Sequence, residues 1–242
     1  MSTQPEGRYV YAIVVGGARG LRARGIGGRT LVRVREGRLA AVAEPMAAPP
    51  DPSVAHLRAQ DRVVRRLARG HDAILPARFG SFARDARELR TVLRRRAVAL
   101  SRALTRVRGT EQMNLRLLLR DNGMTRAQAR AIPAPGKGTR YLRARAGHDL
   151  PVLAAVRSAL ARQSIIRAEL VEVHAISPHA DNAKPVVTIY HLIARGTSRK
   201  YRKTVRDTMA RKRGASAVVS GPWPPYAFAA PADAIAAGRS AS

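Results

Sequence analysis

The chain has 242 residues, of which 45% are hydrophobic but only 4% aromatic, so a core in one or two domains must come mainly from Ala, Val and Leu. It has no Cys, which excludes disulfides and thiolate metal sites, and no apolar run near the ~18 residues of a membrane span. Its formal charge is +29, from 45 Lys and Arg (40 of them Arg) against 16 Asp and Glu; this predicts attraction to polyanions or acidic partners and says nothing about fold.

The N-terminus shows no charged segment ahead of a long apolar run, so a soluble intracellular protein is the expectation. An Arg excess with abundant Ala, Gly and Pro is also what a GC-rich genome produces, which makes solvated surface an equal account of the charge. In chain order, RYVYAIVV at 8–15 is a β-branched and aromatic run that predicts a strand. A Gly/Arg loop follows at 16–29. Alternation over Leu31–Arg35 and Arg38–Ala43, with Glu36-Gly37 as the turn, predicts a hairpin. After the proline-rich connection PMAAPPDP at 45–52, Ser53 is a candidate N-cap for a helix over 53–69. Its apolar positions are Val54, Leu57, Val63, Val64 and Leu67, and it stops at Gly70. AILPARFGSF at 73–82, broken by Pro76 and Gly80, reads as an irregular strand. From 83 to 108, Leu89, Val92, Leu93, Ala97, Leu100, Leu104 and Val107 make one stripe of a long helix ended by Gly109.

The second half predicts a strand at 111–119, a helix at 140–164 and strands at 165–176 and 185–194 joined by a turn. A helix at 197–213 with Tyr201, Val205 and Met209 on one side follows, then a last strand around Ala217–Val219. That order, βαββαβ, is the split βαβ arrangement of ferredoxin-like domains, with helices on one face of an antiparallel sheet. The fold class is therefore α+β in two domains: an N-terminal α+β domain over 1–109 ending in a long helix, and a C-terminal ferredoxin-like domain over 110–229. A disordered tail is expected at 230–242.

Catalytic and ligand motifs are weak. Gly25-Ile26-Gly27-Gly28-Arg29-Thr30 resembles the end of a P-loop, but Arg29 stands where Lys is needed and a strand follows where a helix N-terminus should face phosphate; a flexible connection is the better reading. His174, His179 and Asp181 cluster in sequence without metal-ligand spacing. Glu111, Asp121, Glu169 and Glu172 offer no acid–base pair, and no nucleophile motif is present, so neither an enzyme nor a cofactor is expected. A ferredoxin-like sheet with this charge raises RNA binding, yet 111–119 holds no aromatic and 185–194 only Tyr190. Charge alone supports non-specific nucleic-acid affinity.

The most unusual stretch is GPWPPYAF at 221–228, with the single Trp, one of six Tyr and one of three Phe. Pro222, Pro224 and Pro225 fix φ and remove N–H donors, so the segment is extended or at a sheet edge. It is either a polyproline ligand for another protein or, the better reading because large apolar groups are seldom left in water, a rigid arm. In that case it folds back over its own domain, and Trp223, Tyr226 and Phe228 fill gaps in an Ala-rich core.

These residues also resemble a family. GPWPPYAF (Gly221, Pro222, Trp223, Pro224, Pro225, Tyr226 and Phe228) is similar to the terminal motif of the gas vesicle protein F/L family. RYVYAIV at 8–14, AILPARFGSF at 73–82, GTRYLRAR at 138–145 and VVTIYHLIA at 186–194 follow the family in order. The resemblance runs from Arg8 to about Phe228, and its specific part is the pair LPxRFG and GPWPPYxF. It departs at Gln60, where members often carry His, and at Glu111-Gln112-Met113, where they often carry Trp.

The resemblance implies a non-enzymatic accessory and structural protein of gas vesicle organization, located in the cytoplasm and on the vesicle, with the second domain a modified ferredoxin-like fold. It implies binding to the small hydrophobic shell protein and to other accessory proteins during assembly, and a place as a minor component at the gas-facing surface. The candidate interface residues are Leu75, Pro76, Arg78, Phe79 and Gly80 of the first motif, Tyr141, Leu142 and Tyr190, and the GPWPPYAF residues. Arg78, if buried, would need an acidic or carbonyl partner. That Arg78 and Phe79 simply lock the first domain together is an equally good account.

Overall fold

The computed structural model describes residues 7–16, 23–119, 150–175, 185–211, 215–230 and 232. By internal contacts the chain divides into two units, Met1–Glu111 with Trp223–Ser242, and Gln112–Pro222.

In the first unit β1 (Gly7–Val15) is the centre of a sheet. The hairpin β2 (Val32–Glu36) and β3 (Leu39–Met46) lies on one side, with Val14 opposite Ala40 and Tyr9 opposite Glu44. On the other side lie two short strands, β4 (Ile74–Pro76) and β5 (Phe82–Ala83), with Ile13 opposite Leu75 and Tyr9 opposite Phe82. The order is β2-β3-β1-β4, with β5 also on β1. The hairpin turn sits one residue later than expected. Glu36 pairs with Leu39, so Gly37-Arg38 is the turn, and Gly37 takes the positive φ of 54°. β1 is buried over nearly its whole length, and Tyr9 and Tyr11 meet edge to face at 5.1 Å in the core. In an aromatic-poor chain these two rings supply the bulk that Ala40, Val42 and Val64 around them cannot.

Helix α1 (Val54–Gly70) is capped as expected: the Ser53 hydroxyl accepts from the His56 N–H at 3.1 Å. Its buried side is Gln60, Val64 and Leu67; Val54 and Leu57, expected in the apolar stripe, are 64% and 50% exposed. The long helix expected over 83–108 is two helices, α2 (Ala86–Arg95) and α3 (Ala97–Val107), separated at Arg96, whose φ and ψ are −105° and 9°. α2 packs chiefly on β2 and β3 and α3 chiefly on β4, with β1 touched by both, so each follows a different part of the twisted sheet. Arg94, bonded to Glu36 at 2.8 Å, fixes the end of α2 on β2.

The second unit contains β6 (Thr110–Leu119), α4 (Leu150–Arg162), β7 (Ile166–Ala175), β8 (Pro185–Ala194), α5 (Ser198–Met209) and β9 (Ala215–Trp223). The sheet order β7-β8-β6-β9 places the first and third strands of the βαββαβ run at the centre. Alternate residues of β6 (Met113, Leu115, Leu117) and β8 (Val187, Ile189, Ile193) bury against Leu153, Val156 and Leu160 of α4 and Tyr201 and Val205 of α5. That one-sided pattern is what a sheet covered by helices on one face requires. The expected helix 140–164 is seen from Leu150; 140–149 lie outside the described residues.

β9 is an edge strand, the place where Pro222 costs no ladder bond. It runs on through Gly221 and Pro222, which are joined by a cis peptide, and a 3-10 turn comes next at Tyr226–Phe228.

Candidate functional site

The LPARFG segment is the loop between β4 and β5, built around one phenol. The Tyr9 hydroxyl donates to the Gln60 side-chain oxygen and accepts from the Gly80 N–H at 3.3 Å. Gln60 in turn donates to the Ala77 carbonyl at 3.0 Å, and the Ala77 N–H bonds the Tyr11 carbonyl at 2.9 Å. Gly80 has φ +82°, which a side chain would resist; this conformation turns its N–H toward Tyr9. Phe79 stands edge-on to Tyr9 at 6.1 Å. Burial is the main cause that pushes the Tyr9 phenol up to about 12, and it stays a neutral donor. Leu75 and Pro76 are buried in β4, whereas Arg78 is exposed, so the loop presents its guanidinium outward and no buried charge has to be compensated.

From Trp223 onward the GPWPPYAF arm lies on this same unit. The sequence predicts that it folds back over a domain spanning 110–229; instead Trp223 and the residues after it pack with the first unit. The Arg65 guanidinium stacks on the Trp223 ring at 4.1 Å, and the Tyr226 hydroxyl donates to Asp61 at 3.1 Å. Asp61 also holds Arg65 at 2.6 Å. Burial first, then the Asp61 charge, raise the Tyr226 phenol far above its ordinary range. Pro224 and Pro225 are buried, and Phe228, 5% exposed, lies under the Arg106 guanidinium at 5.3 Å. The 3-10 turn packs beside β4. The two motifs, about 140 residues apart in sequence, thus meet around α1, where the i, i+4 pair Asp61 and Arg65 clamps the arm. Sequence reasoning does not single out Asp61, Arg65 or Arg106. Their only signal is the spacing of Asp61 and Arg65, which is common on exposed helices.

The Gly-rich loop does bind an anion, but an internal one. Glu44, fully buried on β3, accepts from the Tyr11 hydroxyl at 2.7 Å and from the backbone N–H groups of Gly27 at 3.1 Å and Arg29 at 2.8 Å. The Ile26 N–H bonds the Tyr11 oxygen at 2.7 Å. Residues 23–30 are therefore a fixed wrap around a carboxylate, not the flexible connection expected. A Cβ on Gly25 would stand 2.0 Å from the Glu44 carboxylate, so the close approach requires glycine.

In the second unit Glu169 on β7 faces His191 on β8 across the sheet. His191 links the Glu169 carboxylate, 2.9 Å from Nε2, to the Tyr201 hydroxyl, 2.7 Å from Nδ1, and Arg157 completes the group on Glu169. The His191 bond first, with Arg157, holds the Glu169 carboxyl down to about 2, against the opposing effect of burial. His191 and Tyr201 are completely buried and only the Glu169 end of the trio reaches the surface, so the group acts as a polar weld between strand and helix. Tyr190, on the other face of the sheet, donates to Glu172 at 2.8 Å. Tyr141, Leu142, His179 and Asp181 lie outside the described residues. Among the described residues no cluster of three or more His, Asp or Glu is placed for a metal, and no helix is long and apolar enough to cross a membrane.

The sequence model of the family described as gas vesicle synthesis protein GvpL/GvpF matches residues 7–230. The chain belongs to this family. The crystal structure of the gas vesicle protein GvpF from Anabaena sp. superposes with a TM-score of 0.67 at 12% identity, covering 93% of this chain and 98% of that one. GvpF from Microcystis aeruginosa gives 0.62 at 14% identity over 92% and 98%. At such identities the likeness shows a shared α+β fold over the covered 92–93% of the chain. No curated protein sequence gives a significant match.

Proposed function

We propose that this GvpL/GvpF-family chain is a non-enzymatic assembly component of gas vesicles that binds the hydrophobic shell protein and other accessory proteins in the cytoplasm and remains as a minor component of the vesicle. The observation that carries this reading is the convergence of LPARFG and GPWPPYAF on one side of the first unit. A shell subunit that polymerises through apolar surface needs a partner to cover or order that surface. A rigid, proline-fixed arm that Trp223 anchors under Arg65 and that leaves Tyr226 at its outer side offers preorganised contact area at little entropic cost. Tyr226 remains 37% exposed and Pro222 is exposed, so the arm is only half consumed by its own fold. Nothing comparable favours dedicated nucleic-acid reading: the single aromatic of β8, Tyr190, is tied to Glu172.

The test is co-expression with the shell protein of the same gene neighbourhood, followed by co-purification through a wash near ~0.5 M salt, where phosphate-driven contacts are largely lost. Retention that fails in Trp223→Ala/Tyr226→Ala, with the variant shown to be folded, supports the reading. Recovery of nucleic acid alone, stripped by the wash, overturns it.

A further inference from the structure

The arginines of α1 are not spread evenly. Arg62, Arg66 and Arg69 follow i, i+4, i+7 spacing along about 10 Å of one helix face. With Arg65 they form one wall of a cleft of about 360 Å³, and Arg24 forms the opposite wall. Five guanidinium groups therefore surround one concavity with an apolar floor at Val63, and no carboxylate is among the described residues that line it. Like charges so placed on one helix repel, and nothing in the helix offsets them: its one acid, Asp61, is committed to Arg65 and Tyr226.

Both walls are held in place. Arg24 bonds the Gly28 carbonyl at 2.9 Å and sits in the loop wrapped around Glu44. Arg65 is oriented by Asp61 and by the Trp223 ring. Resting on the reading of this chain as a partner-binding component, we propose that the cleft between residues 23–30 and α1 docks a carboxylate-rich segment of a protein partner. Arg62, Arg66 and Arg69 grip it from one side and Arg24 closes the other.

Planar, forked guanidinium groups match carboxylates two bonds at a time. The concave shape admits Asp and Glu side chains one after another, and Val63 suits their methylenes. A convex nucleic-acid duplex cannot enter so small a hollow. A single strand needs aromatic faces for its bases, and the face of the neighbouring Trp223 is already covered by Arg65.

The probe is a fluorescent peptide of about eight glutamates, titrated with the purified full-length chain at about 0.15 M salt, beside an oligothymidylate of equal charge. Because no vesicle protein takes part, this measurement and the shell-protein co-purification succeed or fail separately. Arg62→Glu/Arg66→Glu is expected to weaken peptide binding at least about tenfold, since each reversal removes a charge-assisted contact and adds a repulsion. Arg199→Glu/Arg206→Glu on α5, the same change in net charge at exposed sites of the other unit, is expected to cost less than about threefold.

Should the charge reversal disturb folding, as judged by circular dichroism, Arg62→Gln/Arg66→Gln replaces it with the same expected direction. Equal losses in the cleft and control variants, no binding of the peptide at all, or tighter binding of the oligothymidylate that is lost selectively in the cleft variant would each overturn the proposal.

Discussion

Replacing Glu44 by Gln is the sharpest probe of how the first unit is held together. The carboxylate takes three donors: Tyr11 and Gly27 on Oε2, Arg29 on Oε1. Glutamine keeps the shape but only one oxygen. In its better orientation it retains the first two bonds without the charge, and turns its amide N–H toward the Arg29 N–H. A hydrogen bond to a charged group contributes about 1.5–3 kcal/mol net, and neutral ones roughly half. One bond lost and two halved cost about 3–6 kcal/mol, a large share of the roughly 5–15 kcal/mol that holds a domain folded.

Trp223, the only tryptophan, is stacked on Arg65 of α1, so its fluorescence reports this unit in a urea titration. With a slope of about 1–3 kcal/mol per molar urea, the midpoint is expected to fall by more than about 1 M. Gly25→Ala should do comparable damage, because its Cβ would stand 2.0 Å from a carboxylate that three donors keep from swinging away. A Glu44→Gln midpoint within experimental error of the parent would refute the idea that this carboxylate organises the loop.

Gln60→Ala removes the link between the Tyr9 hydroxyl and the Ala77 carbonyl and leaves both buried without it. A loss of about 2–4 kcal/mol is expected in the same titration, with Gln60→His recovering part of it if the imidazole bridges the same two groups. Glu169 is held at about 2 against an ordinary 4.5, so the carboxylate stabilises the folded state fully above about pH 4.5 and progressively less as pH falls toward 2. Melting temperature followed over that window should drop more steeply in the parent than in Glu169→Gln; parallel curves would deny the carboxylate its part.

The secondary structure was legible where one periodicity dominated. β1, the β2–β3 hairpin, α1 with its Ser53 cap and the βαββαβ order of the second half all follow from local pattern and turn chemistry. What pattern could not supply was the partner of each element. Apolar spacing continues across Arg96, yet α2 packs chiefly on the β2–β3 hairpin and α3 on β4, and it is in this tertiary packing that the break at Arg96 finds its place. Val54 and Leu57 fit the stripe of α1 but fall beyond the edge of what it covers.

The site was legible in half. LPARFG and GPWPPYAF stand out by composition, but that they meet depends on Asp61, Arg65 and Gln60, ordinary polar residues whose importance comes from what is opposite them. Glu44 was hidden for the same reason. An acid at the end of an apolar strand looks like a surface residue until the loop that wraps it is in view, and the P-loop-like glycines were the visible half of that contact.

The disposition of the acids explains why a charge of +29 is compatible with a folded chain and where its surplus goes. Glu44 fastens the loop, Asp61 the arm, Asp85 caps α2 and Glu88 closes that cap from within, Glu36 anchors α2 to the hairpin, and Glu169 welds sheet to helices. Among the described residues few carboxylates remain for generic surface neutralisation, since the fold has drawn them into specific contacts. The arginines that pair with them, Arg65, Arg94 and Arg157, are structural. Those on the outer face of α1 are not so engaged, and their repulsion is tolerable only at a surface that water and counterions, or an acidic partner, can reach. Charge-reversing the cleft should therefore relieve α1 slightly while weakening acidic-peptide binding. Reversing Arg65 or Arg94 should destabilise the first unit whether or not a partner is present. That opposite sign in stability separates arginines that build the protein from arginines that serve its contacts.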